Sequence, residues 1–294
     1  MKLSTWQLPL NVTIGRAVMA ARQALEASSN PSAALDAQVL LAYALGVDRA
    51  WLFAHAEVLL TPALAEAFAA LITRRLNHEP VAYMLRRRDF YGLEFQVDSR
   101  VLIPRPETEL LVDRVLAHIH VQAIAAPIIA DVGTGSGAIA VTLASHCPQA
   151  TLYAIDLSEA ALAVAQANVQ RHDQRGQITL LQGDLLAPLP VPVSIIAANL
   201  PYISQSTYAT LHPTVHNYEP RLALEAGPAG LDAIARLLQQ APAHLLPDGA
   251  LFLEIGDDQG EAVSVLARQQ LPHAHTIALH QDYSGRNRLI IILV

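Results

Sequence analysis

From residue 126 to the C-terminal Val294, short uncharged apolar runs alternate with helical segments, and this alternation limits the fold more than any other feature of the chain. Residues 128–132 read as a strand buried on both faces, because a parallel strand covered by helices shows a continuous apolar run rather than a period of two. A tight turn, Gly133-Thr134-Gly135-Ser136-Gly137, follows, and residues 138–145 form a helix. Residues 152–156 are a second strand ending in an acid, and Ser158 caps the next helix. Residues 178–181 are a third strand, followed by Gly183-Asp184. A fourth ends in Asn199, and a fifth spans 250–255, introduced by the turn Pro247-Asp248-Gly249. Residues 275–279 and 289–294 close the set as a pair. The expected architecture is a doubly wound, mainly parallel, seven-stranded Rossmann-like α/β sheet. Ligands of such sheets sit beyond the carboxyl ends of the strands.

The fourth strand changes character abruptly. Ile195-Ile196-Ala197-Ala198 is apolar, and Asn199-Leu200-Pro201-Tyr202 places an amide, backbone carbonyls and an aromatic ring around one small volume. The set suits a planar, uncharged nitrogen with two hydrogens, a carboxamide or an exocyclic amine. Asn199 Oδ1 accepts one hydrogen bond and the Leu200 carbonyl the other. Pro201 drives Leu200 out of the αR region, which fixes where that carbonyl points. Tyr202 covers the planar group. The plainer alternative is a strand end with a turn, since Asn and Pro are common turn residues.

Residues 13–85 read differently. Apolar positions recur at helical spacing, Asn30-Pro31-Ser32 breaks the first helix, Gly46 caps the second, and Thr61-Pro62 starts another. No motif for chemistry falls here, so a small helical bundle is expected, either as packing or as a grip on a protein partner. Residues 89–97 read as a strand pair with Gly92 at its turn. In Pro104-Arg105-Pro106-Glu107-Thr108-Glu109 the two prolines hold the chain extended ahead of a helix. The segment is either a linker or one wall of a site faced by Arg105 and Glu107. The expected division is therefore a helical domain over 1–85, a hairpin and Pro-rich linker over 86–109, and the α/β domain over 110–294.

The 294 residues are 52% hydrophobic and 15% charged, enough for two cores and too apolar for a disordered chain. The net charge of −7 and the lack of a sustained basic run speak against a nucleic-acid surface, although Arg86-Arg87-Arg88 remains a local cluster. One cysteine, Cys147, excludes an internal disulfide, and the scattered histidines form no metal-binding pattern. No secretory signal and no stretch of eighteen apolar residues is visible, so a cytoplasmic protein without a membrane span is expected.

The glycine turn lets a ligand approach the backbone, and Asp156 at the end of the second strand is placed for both ribose hydroxyls. A nicotinamide dinucleotide and S-adenosyl-L-methionine both fit that much. Three details favour the methyl donor. The turn is Gly-x-Gly-x-Gly, displacing the glycine expected for a pyrophosphate. Asp131 before it would repel a pyrophosphate and suits an ammonium. Asp184 after the third strand can accept from an adenine amino group.

These residues, with Glu79-Pro80-Val81-Ala82-Tyr83, Phe90-Tyr91-Gly92, Leu102 through Glu109, Tyr218-Glu219-Pro220 and Leu253-Glu254-Ile255-Gly256, resemble the peptide chain release factor glutamine methyltransferases over nearly the whole chain. The resemblance implies a protein-glutamine N-methyltransferase that modifies the Gln of the Gly-Gly-Gln loop in class I release factors. By it, Gly133, Thr134, Gly135, Ser136, Gly137, Asp131, Asp156, Asp184 and Leu185 bind the donor, with Asn199 bordering it. Asn199, Leu200, Pro201 and Tyr202 take the glutamine, with Arg105 and Glu107 as further candidates and Asn199, Pro201 and Tyr202 as the catalytic set. A release factor is the implied partner, and a monomer without direct nucleic-acid binding is expected. The family pattern is Asn-Pro-Pro-Tyr, and here Leu200 stands second, which resembles the motif of ribosomal RNA adenine N6-methyltransferases. That reading, a dinucleotide oxidoreductase and a non-catalytic binding protein are the rivals.

Overall fold

The computed structural model describes residues 6–9 and 11–294. The chain forms two compact units. One contains the described residues up to Arg86 together with Pro213–Tyr218; the other contains Arg87–His212 and Glu219–Val294.

The first unit holds helices α1 (Ile14–Ala27), α2 (Ala33–Leu45), α3 (Arg49–Ala54), α4 (Pro62–Leu76) and α5 (Val81–Leu85). The start signals act as expected: Thr61 Oγ1 accepts from the Leu64 N–H with Pro62 at the first helical position, and Asp48 accepts from the Trp51 N–H at 2.8 Å. Gly46 ends α2 at φ +67°, a left-handed value that glycine adopts without Cβ strain. Ala17, Ala21, Leu25, Leu40, Leu41, Phe68 and Ile72 make the core. Within it, Arg75 donates to Asp36 at 2.7 Å. The helical turn Pro213–His216 joins this unit because the Tyr218 hydroxyl donates to the Asn77 carbonyl at 2.8 Å and Arg75 reaches Thr214 at 3.4 Å.

The second unit opens with the antiparallel hairpin β1 (Arg87–Phe90) and β2 (Leu93–Gln96), turned by Tyr91 and Gly92, both at positive φ. Then follow α6 (Glu109–Val121), β3 (Ile128–Val132), α7 (Ala138–His146), β4 (Thr151–Asp156), α8 (Glu159–Arg171), β5 (Ile178–Gln182) and β6 (Val193–Ala198). The chain ends with α9 (Asp232–Gln240), β7 (Leu245–Glu254), α10 (Gly260–Gln270), β8 (Thr276–Gln281) and β9 (Asn287–Leu293). The seven strands stand in the order β5-β4-β3-β6-β7-β9-β8; β9 runs antiparallel to both its neighbours, and β3 to β7 are parallel. Two apolar layers cover the sheet. One is built on α6, α7 and the hairpin's Phe90 and Phe95, the other on α9 and α10. The hairpin and the Pro-rich segment after it both fall in the α/β unit, and the hairpin's two phenylalanines are buried in that core.

One strand boundary differs from the sequence expectation. β7 already pairs at Leu245, opposite Val193, and resumes at Ala250, opposite Ile195. Leu246-Pro247-Asp248 is thus an exposed bulge inside the strand rather than a turn before it, with Asp248 at φ +60°, and Gly249 is already buried with its carbonyl accepting from Val294 N at 3.0 Å. The pairing before it needs only one backbone register, which no local sequence signal reveals.

Candidate active site

The strand order reverses between β3 and β6, and this reversal opens a crevice at their carboxyl ends. Val132 is in register with Ala198, so the glycine turn after β3 and the Asn199 segment after β6 leave the sheet side by side. Gly133 sits at φ +76°, and a Cβ on it would lie 3.0 Å from Leu200 Cδ2, so the Leu200 side chain would have to give way. One cavity is lined by Gly133, Thr134, Gly135, Ser136, Asp156, Asp184, Leu185, Arg105, Thr108, Asn199, Leu200 and Pro201. Most of the residues expected to bind a methyl donor and its acceptor are brought together there.

The donor half is held by short-range bonds. The N–H groups of Gly133 and Thr134 both donate to the Ile155 carbonyl, at 2.8 and 2.9 Å, which folds the turn over the end of β4. Asp156 Oδ2 accepts from Gly135 N at 2.8 Å, and Oδ1 from Ser158 N at 2.9 Å. Each oxygen keeps lone-pair capacity toward the cavity, as a ribose diol requires. Burial raises the Asp156 pKa above the ordinary carboxylate range. The turn places Gly133, Gly135 and Gly137 at positive φ, and a Cβ on Gly135 would meet nothing closer than 3.9 Å. The open space over the turn is a cradle for a ligand. Leu185 lines the same cavity at φ +55°, an uncommon conformation for a residue with a branched side chain. Asp184 lines it too, and both its oxygens accept from Arg236 Nη1, at 3.1 and 3.0 Å.

Asp131 is placed otherwise. It is wholly buried under the turn, absent from the cavity wall, and its Oδ2 accepts from the Thr134 hydroxyl at 2.6 Å and Ala140 N at 3.1 Å. Oδ1 has no partner among the described residues. Burial pushes its pKa up to about 7. Its visible work is to hold the turn, and the unpartnered oxygen is compatible with a nearby donor group of a bound ligand.

The acceptor half is assembled from distant segments. Asn199 Nδ2 donates to Thr108 Oγ1 at 3.0 Å, and the Thr108 hydroxyl donates to Glu254 Oε2 at 2.6 Å. The amide oxygen of Asn199 is thereby left as the acceptor. Tyr202 does not line the cavity; its hydroxyl donates to Glu254 Oε1 at 3.4 Å, and its carbonyl accepts from Gln259 Nε2 at 2.9 Å. Burial raises the Tyr202 pKa above its ordinary value, the Glu254 charge adding to it. Arg105 lines the cavity and pairs with the buried Glu219, whose other oxygen accepts from Ile103 N at 3.1 Å. Glu107 is exposed and outside the wall, because the turn of 3₁₀-helix at Pro106–Thr108 directs Thr108 inward instead.

Sequence reasoning assigned no role to Thr108, Glu254, Gln259 or Asn168. Asn168 is fully buried and ties the hairpin to the turn, donating to Gln96 O at 2.9 Å and Ser136 O at 2.8 Å. For Glu254 a signal existed: like Asp131 and Asp156, it is an acid at the end of an apolar strand. Among the described residues no group of His, Cys, Asp and Glu is arranged to hold a metal, and no helix is long and apolar enough to cross a membrane.

The reversed strand order, the glycine turn and the shared cavity define a Rossmann-like methyltransferase, and a methyltransferase domain model matches residues 129–214. The hMettl16 catalytic domain, solved in complex with an RNA hairpin, has the same fold at a TM-score of 0.54 and 15% identity, over 76% of this chain and 80% of that one. The PrmC N-terminal domain model matches residues 16–85. The release factor glutamine methyltransferase of Moorella thermoacetica is 42% identical over 95% of this chain and 98% of its own length. That of Bordetella pertussis is 44% identical over 87% and 93%. The chain belongs to the release factor glutamine methyltransferase family. These relatives support the amide-nitrogen reading and not the ribosomal RNA adenine alternative that Leu200 suggested.

Proposed function

We propose that the protein methylates the side-chain amide nitrogen of the Gln in the Gly-Gly-Gln loop of class I release factors, with S-adenosylmethionine as donor. The observation that carries this reading is the orientation of Asn199: its NH₂ is engaged by Thr108, which leaves Oδ1 as an acceptor beside the glycine turn in a common cavity. A carboxamide NH₂ fits between Asn199 Oδ1 and the Leu200 carbonyl. Its lone pair is delocalised and weakly nucleophilic, so the protein's contribution is placement plus acceptor dipoles that favour positive charge developing on nitrogen.

When bound, S-adenosylmethionine supplies an electrophilic methyl group on a sulfonium sulfur. The open turn, the Asp156 carboxylate and the Asp184-Leu185 wall fit that molecule. The bound donor would give its methyl group from sulfur to the amide nitrogen that Asn199 Oδ1 and the Leu200 carbonyl hold, and one amide proton would leave to solvent, so no dedicated base is required of the chain. The helical unit is assigned the grip on the release factor.

The test is transfer of label from radiolabelled S-adenosylmethionine to purified release factor, wild type and with the loop Gln changed to Ala. Label on the wild type alone is expected. Label absent from both but present on ribosomal RNA would overturn the reading.

A further inference from the structure

Leu253-Glu254-Ile255-Gly256 is a motif that the donor and acceptor roles above leave unused. Glu254 is 2% exposed, lies outside the cavity wall, and meets the acceptor site through two hydroxyls, those of Thr108 and Tyr202. We propose that Glu254 is a positioning residue which, through Thr108, dictates which end of the Asn199 amide faces the substrate. This rests on the glutamine methyltransferase reading.

The argument is one of donor counting. A hydroxyl has a single hydrogen, and an ionised carboxylate has only acceptors. Thr108 must therefore spend its hydrogen on Glu254 Oε2 and can only accept from Asn199. Asn199 must then offer Nδ2 to Thr108, and Oδ1 is turned to the cavity. A proton on Oε1 leaves this unchanged, because Oε2 still accepts and the Tyr202 hydroxyl then accepts in its turn, whereas a proton on Oε2 would free the Thr108 hydrogen and lift the constraint. The orientation of the amide is thus imposed by a group that never touches the substrate. It matters because the two ends of the amide select opposite ligands. Oδ1 accepts from a glutamine NH₂; Nδ2 would oppose that NH₂ and favour a carboxylate. Gln259 completes the frame: its Oε1 accepts from Gly256 N at 2.9 Å while its Nε2 holds the Tyr202 carbonyl.

The decisive variant is Glu254→Gln, which keeps shape and lets an NH₂ face Thr108. The hydroxyl can then turn to Asn199, and the amide can reverse. The assays are steady-state methylation of purified release factor, donor Kd by calorimetry, thermal melting, and inhibition by a release factor carrying Glu in place of the loop Gln. Glu254→Gln is expected to lower kcat about fivefold or more, the worth of a misdirected hydrogen bond, and to shift the Gln-over-Glu binding preference toward Glu by a similar factor. Donor Kd and melting temperature should change little. Thr108→Val should reproduce the loss of kcat, and Thr108→Ser, which keeps the hydroxyl, should recover most of it. An unchanged Gln-over-Glu preference in Glu254→Gln overturns the proposal, whether activity is retained or is lost together with donor binding and stability. Failure of the wild-type protein to label release factor is a separate result, and overturns the reading beneath the proposal.

Discussion

The two halves of the cavity are built by opposite means. Around the glycine turn of the donor half most stabilising bonds stay within one strand–turn–helix–strand unit, Thr134 and Ala140 to Asp131, Ser158 and Gly135 to Asp156, with the bonds of Asn168 to Ser136 and Arg236 to Asp184 as the longer ones. In the acceptor half, Asn199 reaches Thr108 across 91 residues, and Thr108 reaches Glu254 across 146. The donor half is a local motif that many sequences can carry. The acceptor half exists only when the segment after the hairpin, β6 and β7 have been brought to one end of the sheet. On the proposed reading, donor binding lies mainly in the glycine turn, while selection of the acceptor lies in the long-range contacts around Asn199.

The largest effect should follow from Asn199→Ala. Removing an acceptor aimed at the developing charge typically costs roughly 10²–10³ in turnover, and donor Kd should stay nearly constant. Steady-state kinetics with calorimetry would check this, and an equal loss in both would mean that the halves are not separable. Next is Asp156→Ala, which deletes the proposed ribose acceptor and leaves the Gly135 and Ser158 N–H groups without their partner. Donor affinity should fall on the order of 10- to 100-fold, as for the loss of charged hydrogen bonds, with a smaller change in kcat at saturating donor.

Asp131→Asn sharpens the contrast between holding a turn and touching a ligand. The Asp131 pKa is raised to about 7 by burial, against the ordinary carboxylate value near 4. The folded state therefore favours the protonated acid, and wild-type stability declines as pH rises from about 4 through about 7. An asparagine does not titrate and can keep an oxygen facing Thr134 and Ala140. Melting curves should show the variant gaining on the wild type through that window and levelling above it. The smallest effect is expected for Leu200→Pro. The Leu200 N–H makes no backbone hydrogen bond among the described residues, and Pro201 already restrains the residue. Turnover should stay within about threefold, since volume-tolerant apolar changes cost little, unless packing of Leu200 over Gly133 controls the turn, in which case donor Kd would move instead.

Legibility from sequence divides along the same line. The strands, the glycine turn and Asp156 were readable because each is specified by neighbours a few residues away. Glu107 was misplaced toward the site and Thr108 overlooked because the inward face of a single 3₁₀ turn depends on what packs against it. Tyr202 was expected over the substrate, but Glu254 and Gln259, both distant in sequence, draw its hydroxyl and carbonyl away from the cavity wall. Asp131 was expected to meet the ligand, and its burial under the turn could not be read from its place at a strand end.

Periodicity, turn residues and caps are local physics, and by themselves they determined the helical unit, the doubly wound sheet and the position of the glycine turn. The tertiary structure alone decided three things: the pairing of β7 before its exposed bulge, the assignment of Pro213–Tyr218 to the helical unit, and the direction in which Asn199 points. Each depends on a partner more than fifty residues away, and a hydrogen bond closed over such a distance leaves no periodic trace in the chain.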